Sequence, residues 1–198
     1  MGSVKSVNFC YILPMRKLTH DEIADRRTRR ADITVTPRVP IEVLVDNVRS
    51  LYNVGSIFRS SDGAWIQKLF LCGFTPHPPR KEIEKTALGA TDTVPWEYHR
   101  DPIEVVHELK RRGITLCVLE QTTHSIPFTD VSPEKFPLCL VIGNEISGVS
   151  RPLVEAADIA IEIPMAGTKQ SLNVAVAYGI AVFELVRIYR GGGNPKVL

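Results

Sequence analysis

The chain has 198 residues, of which 44% are hydrophobic and 23% are charged, and its formal net charge is +2. This length and composition are typical of one globular domain with a sizeable core, and they disfavour a disordered chain or a polycation. No apolar run approaches the roughly 20 residues of a membrane-spanning helix, so we expect no membrane association and a cytoplasmic location.

The first 40 residues are predicted to form an N-terminal arm. Residues 1–3 fit either a loose myristoylation pattern or a leader left by cloning, and we take the second interpretation. Thr19 and Glu22 have the spacing of a capping box, which predicts a polar helix. That helix is expected to carry four clustered arginines: Arg26, Arg27, Arg29 and Arg30. Such a cluster suits either RNA phosphates or a solvated helix face, and both interpretations stay open.

Short apolar runs then alternate with helical patterns. The predicted strands are residues 42–45, 68–72, 115–119, 138–142 and 160–163. Several of them are continuously apolar, as expected for strands covered on both faces of a parallel sheet. The pattern predicts a single α/β domain over residues 41–190 with a mostly parallel, Rossmann-like sheet, followed by a flexible tail over residues 191–198.

Two helices have clear boundaries in the sequence. Asp101 as N-cap, Pro102 at the first position and Gly113 as the stop predict a helix over residues 102–112. The last helix is predicted to run from Ser171 to Arg190. Its first half is apolar nearly all round, which predicts burial on most sides.

The cysteines and histidines show no metal-binding pattern. The four cysteines are Cys10, Cys72, Cys117 and Cys139. Three of them sit inside apolar runs, so we expect reduced, buried thiols. The five histidines form no ligand pair, and no structural metal is expected.

Polar residues concentrate after three predicted strands, where parallel sheets bind their ligands. Asn53 and Arg59 follow the first strand, and Gly143 and Glu145 follow the strand at 138–142. The third set is Ile163, Met165, Ser171, Leu172 and Asn173. Each set alone would also fit an ordinary turn or helix cap. The fingerprints of dinucleotide-binding enzymes, P-loop ATPases and serine hydrolases are missing.

Taken in order and spacing, the three segments resemble the signature motifs of the SpoU/TrmH family of RNA 2'-O-ribose methyltransferases, in the SPOUT superfamily. The likeness covers residues 41–187. It implies a deep C-terminal trefoil knot whose loops hold S-adenosylmethionine in a bent conformation. The cofactor-binding residues implied by the resemblance are Gly143, Ile163, Met165 and Leu172, with Glu120 and Gln121 as a further wall.

The resemblance makes Arg59 the residue nearest the reacting ribose hydroxyl. Arginine is a poor base, with a pKa above roughly 12. Our hypothesis is therefore that Arg59 stabilises the developing alkoxide, or acts together with an RNA phosphate. The other implied catalytic residues, which would orient Arg59 and the ribose, are Asn53, Glu145, Ser171 and Asn173.

The resemblance also implies a homodimer with each site near the subunit boundary. The final helix and the loop at residues 47–53 are the expected contacts, and the arginine cluster is expected to bind RNA. The segment at residues 113–122 resembles members that act on guanosine in the tRNA D-loop, which favours tRNA over rRNA. A base-nitrogen methyltransferase and a catalytically silent RNA-binding relative are the alternatives, and the intact set of polar motif residues disfavours both.

Overall fold

The computed structural model describes residues 15–27 and 32–191. Seven strands lie in these ranges: β1 (Val39–Asp46), β2 (Ile66–Cys72), β3 (Trp96–His99), β4 (Thr115–Leu119), β5 (Ile126–Pro127), β6 (Leu138–Ile142) and β7 (Ile159–Glu162). The α-helices there are α1 (His20–Ala24), α2 (Leu51–Ala64), α3 (Lys81–Ala87), α4 (Pro102–Arg111), α5 (Arg151–Ala156) and α6 (Val174–Tyr189). No helix within these ranges is both long and apolar enough to cross a membrane.

The strands form one sheet in the order β3-β2-β1-β6-β4-β7-β5. Every pairing between neighbouring strands is parallel. The predicted α/β class with a mostly parallel sheet is therefore confirmed. All five predicted strands are present, although β7 ends at Glu162 and leaves Ile163 in the following loop.

Helices cover both faces of the sheet, which explains the continuously apolar strands. On one face, α2, α3 and α6 contribute Ile57, Ile83 and Leu185 to a core that includes alternate residues of β1 and β6. On the other face, α4 and α5 contribute Leu109 and Leu153. Because all strands run the same way, their carboxyl ends meet at one edge, where the polar loops lie.

Helix α4 confirms the prediction from its caps. It spans Pro102–Arg111, one residue short of the predicted end, with Arg112 as its C-cap. The side chain of Asp101 accepts the N–H of Ile103 at 2.9 Å, which satisfies one of the free donors of the first turn.

Helix α6 corrects two predictions. It begins at Val174 rather than Ser171, because the side chain of Asn173 accepts the N–H groups of Ala175 and Val176 and so ends the preceding loop. It is also not buried on most sides. Three apolar side chains one turn apart stay half-exposed in the single chain: Val176 at 52%, Ile180 at 40% and Phe183 at 50%. We call these three residues the α6 stripe.

The N-terminal arm also differs from its prediction. The capping box is present, with Thr19 and Glu22 bonded reciprocally, but α1 ends at Ala24. Arg26 and Arg27 lie beyond the helix and are exposed, so they do not form a helix face. Arg29, Arg30 and residues 192–198 of the predicted tail lie outside the described residues.

Candidate functional site

A cleft of about 1220 Å³ opens at the carboxyl edge of the sheet. Its wall contains most of the residues singled out from the sequence: Glu120, Gln121, Gly143, Glu145, Ile163, Met165, Ser171, Leu172 and Asn173. A neighbouring cavity of about 360 Å³ is lined by Arg49, Ser50, Asn53, Glu145 and Ile146. Glu145 and Ile146 line both cavities, so this short segment forms the wall between them.

Glu145 ties the loop after β6 to the start of α2. Its carboxylate accepts the backbone N–H groups of Arg49 and Ser50, both at 3.0 Å. It also accepts the side-chain amide of Asn53 at 2.9 Å. The carboxylate thus binds free donors at the N-terminus of α2, where the helix dipole favours negative charge.

The protonation state of Glu145 follows from these contacts. Partial burial, the largest single influence, raises its pKa, but the hydrogen bonds from backbone N–H groups and from Asn53 together outweigh it. The pKa therefore lies below the ordinary value for a glutamate, and the residue is ionised at neutral pH. A fixed carboxylate that already accepts three hydrogen bonds orients its neighbours rather than taking up a proton.

Asn53 in turn connects α2 to α6. Its side-chain oxygen accepts the Nδ2 group of Asn173 at 3.1 Å, across 120 residues of sequence. The oxygen of Asn173 remains on the first N–H groups of α6, so one side chain both caps that helix and bonds to the next. The relay Glu145–Asn53–Asn173 therefore joins all three polar segments.

A second set of hydrogen bonds, which the sequence did not predict, fixes the same loops to the ends of β1 and β6. Asn144 donates its side-chain amide to the carbonyl of Asn47 at 2.7 Å and accepts the N–H of Ile146 at 2.9 Å. Asp46, which is 1% exposed, accepts the N–H of Ser150 at 2.8 Å. For Asp46, the sequence offered one signal that could have predicted this role: a charged residue at the end of an apolar strand.

Two glycines let the loop after β6 fold tightly against the strand ends. A Cβ at Gly143 would collide with the backbone of Gly148 and Val149. Gly148 has a φ of +69°, and a Cβ there would collide with the carboxylate of Glu120. Glycine is therefore required at both positions, because it has no Cβ and, at Gly148, because it adopts a positive φ without strain.

Glu120 and Gln121 line the cleft but also have structural partners. Glu120 accepts the N–H of Val149 at 2.9 Å, and Gln121 donates its side-chain amide to the carbonyl of Gln170 at 2.6 Å. Together they connect the end of β4 to the loops after β6 and β7. The predicted wall is thus built of residues that hold the neighbouring loops in place.

Arg59 is the predicted catalytic residue that the structure brings to neither the cleft nor the neighbouring cavity. It lies on the exposed side of α2, lines neither cavity, and has no hydrogen-bond or ion-pair partner among the described residues. Helix α2 lies alongside α6, since Gly63 of α2 approaches Phe183 and Ser60 approaches Gly179. Arg59, four residues before Gly63, therefore lies on the side of α2 next to the α6 stripe.

The three described cysteines, Cys72, Cys117 and Cys139, are buried and free, as predicted. Burial raises the pKa of both the Cys72 and the Cys117 thiol to about 12, so neither is a thiolate at neutral pH. Cys10 lies outside the described residues. In the part of the chain that the structure describes, no group of three or more metal-ligating side chains is suitably placed for a metal ion.

Comparison with known proteins gives consistent matches over this region. The sequence pattern of the SpoU rRNA Methylase family matches residues 40–183. The tRNA (guanosine(18)-2'-O)-methyltransferase of Aquifex aeolicus is 36% identical over 146 residues, which are 73% of this chain and 68% of that protein. The 23S rRNA (guanosine-2'-O-)-methyltransferase RlmB of Vibrio parahaemolyticus is 32% identical over 157 residues, 79% of this chain but 62% of that protein.

Solved structures show the same fold. The A. aeolicus TrmH/SpoU tRNA modifying enzyme superposes with a TM-score of 0.74 at 33% identity, covering 83% of each chain. The SpoU methyltransferase AviRb from Streptomyces viridochromogenes, in complex with the cofactor AdoMet, superposes with a TM-score of 0.72 at 28% identity. That match covers 81% of this chain and 64% of AviRb. The family pattern includes the sheet and all three polar segments.

Proposed function

We propose, since the chain belongs to the SpoU rRNA Methylase family, that it transfers a methyl group from S-adenosylmethionine to a ribose 2'-hydroxyl of RNA. The observation that carries this proposal is the relay Glu145–Asn53–Asn173, which brings the three polar segments together beside the cleft. The carboxylate and the two amides are fixed by hydrogen bonds to one another and to the backbone, and such fixed polar groups position polar ligands well. Methyl transfer needs such positioning of an oxygen nucleophile.

The large cleft fits S-adenosylmethionine. Its wall combines apolar side chains, suitable for an adenine ring, with the carboxylates of Glu120 and Glu162, which favour a positively charged ligand. The absence of a side chain at Gly143 lets the backbone of Gly148 and Val149 pack against it, which holds the loop that lines the cleft in place. When bound, the cofactor supplies an electrophilic methyl group on a sulfonium. We assign Ile163, Met165 and Leu172 to the apolar contacts.

We assign the smaller cavity to the target ribose, because it is lined by Asn53 and Glu145 and borders the cleft. There, the amides of Asn53 and Asn173 would hold the hydroxyl, and Ser171, which lines the cleft beside Asn173, would add a further donor. Glu145 keeps both amides oriented through its bond to Asn53. None of these groups is suited to accept the proton from the ribose hydroxyl at neutral pH.

A homodimer explains the α6 stripe and the position of Arg59. Three half-exposed apolar side chains on one helix are what a second copy of the chain would cover, and Arg59 lies beside them. We therefore propose that the dimer forms through α2 and α6 and that Arg59 acts in the site of the partner subunit. A guanidinium there would stabilise the developing alkoxide, directly or through an RNA phosphate.

The C-terminal trefoil knot is part of the same proposal. Two contacts support it: Glu120 binds the loop after β6, and Gln121 binds the carbonyl of Gln170 in the loop before α6. The loops that would form and fill the knot are thus in contact at the cleft.

We propose tRNA as the substrate, with rRNA as the second candidate. The resemblance of residues 113–122 to enzymes acting on tRNA supports the first. The relatives include both classes, at 36% identity for the Aquifex tRNA enzyme and 32% for the Vibrio rRNA enzyme.

The test is incubation of the protein with radiolabelled S-adenosylmethionine and unmodified tRNA or rRNA, followed by digestion to nucleosides. We expect label in a 2'-O-methylated nucleoside from tRNA. Label only from rRNA would refute the substrate, and label in a base would refute the ribose assignment. Cofactor binding measured separately distinguishes a wrong RNA from a silent relative.

A further inference from the structure

We propose that Phe74 is a stacking platform for an unpaired base of the RNA substrate, next to the nucleotide that is methylated. This inference rests on the proposed function. Phe74 lies in the loop between β2 and α3, and 88% of its surface is exposed. Because the ring is not packed into the core of the described chain, its large apolar face is available to a ligand.

Hydrogen bonds anchor the backbone at Phe74. Its backbone N–H donates to the side-chain oxygen of Asn47 at 2.9 Å. The preceding residue, Gly73, has a φ of +64°, and its carbonyl accepts the hydroxyl of Tyr98 at 2.9 Å. The anchored backbone reduces the conformational entropy that is lost when a base stacks on the ring.

The loop that carries Phe74 binds the edge strand β3 through the bond from Tyr98 to Gly73, and that strand carries further aromatic rings. Trp96 and Tyr98 lie on the same face of that strand. His77 packs between them, 4.9 Å from the Tyr98 ring and 6.1 Å from the Trp96 ring. Tyr98 remains 42% exposed. Exposed aromatic rings on which unpaired bases stack are a common way to bind single-stranded RNA.

The anchor of Phe74 leads directly to the proposed site. The side-chain oxygen of Asn47 accepts the Phe74 N–H, and its backbone carbonyl accepts the side-chain amide of Asn144 at 2.7 Å. Asn144 directly precedes Glu145. A base on Phe74 would therefore be held by the same framework that positions the target ribose. Asn47 and Asn144 alone connect Phe74 to Glu145, which is why we assign Phe74 to a nucleotide next to the methylated one.

The surrounding charge favours RNA as the occupant over a second protein chain. Exposed basic side chains flank the platform: Arg49, Arg80, Lys81 and Arg100. None of them forms a salt bridge with a carboxylate in the described ranges. The sequence from Gly73 to Lys81 contains no acidic residue, and Glu97 is held by Lys68 and His99. Unpaired cations beside exposed rings provide the phosphate contacts that accompany base stacking.

The test compares Phe74→Ala with Phe74→Trp in the full-length chain, using unmodified bulk tRNA as the probe. We expect Phe74→Ala to raise the Kd and the KM for RNA by about 5- to 150-fold, the range for the loss of one stacked base. The kcat and the affinity for S-adenosylmethionine should stay within about twofold. Phe74→Trp should restore RNA affinity, and its fluorescence should be quenched when RNA binds.

Val35→Ala is the matched control, because Val35 is 74% exposed and precedes the opposite, amino-terminal end of β1. Wild-type RNA affinity in Phe74→Ala would overturn the platform alone. An altered oligomeric state with unchanged RNA affinity would also overturn it, in favour of a protein contact. If the wild-type protein binds neither RNA pool, the proposed function fails, and this inference fails with it.

Discussion

Replacing Glu145 with Gln tests the relay that joins the three polar segments. The substitution preserves shape but removes the negative charge and turns one acceptor oxygen into a donor. One oxygen of Glu145 accepts from both Ser50 and Asn53, and the other accepts from Arg49. Whichever way the new amide turns, its NH₂ group faces at least one donor that loses its partner.

The expected loss follows from these contacts. A hydrogen bond to a charged group contributes about 1.5–3 kcal/mol, and a charge at a helix N-terminus about 0.3–1 kcal/mol. Glu145 is exposed on one side, so we discount the sum and expect a loss of about 1–2 kcal/mol in the free energy of unfolding at pH 7. For a domain of this size, that lowers Tm by about 2–8 °C.

The pH dependence has a definite sign. The pKa of Glu145 is lower in the folded chain than in the unfolded chain. Its contribution is therefore complete above the unfolded pKa, about 4.3, and disappears as the pH falls through the folded value. The difference between wild type and Glu145→Gln should be full at pH 7 and shrink below about pH 4.

The measurement is urea unfolding of both proteins between pH 3 and pH 7. Glu155→Gln is the matched control, since Glu155 forms an exposed ion pair with Arg151 and should change stability by less than about 0.5 kcal/mol. Equal stability of wild type and Glu145→Gln at pH 7, or a difference as large at pH 3 as at pH 7, would refute the reasoning.

Three further predictions concern the proposed cofactor cleft, the proposed dimer and the proposed role of Arg59. Gly143→Ala should weaken binding of S-adenosylmethionine at least about tenfold in calorimetry, because the new Cβ collides with the backbone of Gly148; unchanged affinity would contradict the assigned cleft. Ile180→Glu should yield monomers in sedimentation velocity, whereas Val35→Glu, at an exposed apolar site outside the stripe, should not. Arg59→Lys should keep folding and cofactor affinity but lose most turnover. Mixed dimers of Arg59→Lys and Gly143→Ala should regain activity only if Arg59 serves the partner subunit.

The sequence predicts the buried part of the fold well and its edges poorly. Strands buried on both faces need apolar side chains at every position, so residues such as those of β6 are recognisable without any partner. Strand β3 was not predicted, because an edge strand alternates and carries Glu97 among its aromatic residues. Strand β5 has only two residues, too few for any periodic pattern.

The site illustrates the same division between local and long-range information. The predicted start of α6 at Ser171 was wrong because two polar residues competed as the N-cap, and only the contact with Asn53 explains why Asn173 takes that position. That contact spans 120 residues. Asp46 and Asn144 were missed for a similar reason, since their partners lie in loops that only the folded sheet brings together.

The burial of α6 was predicted too broadly because an apolar helix face does not specify what covers it. Tyr178, Ala181 and Leu185 face the sheet, while Val176, Ile180 and Phe183 face outward in the single chain. The outward residues would be costly in a monomer, and Arg59 beside them has no described partner. One association through this surface would cover Val176, Ile180 and Phe183 and would bring Arg59 towards the site of the partner subunit. The dimer is therefore the simplest physical account of both features.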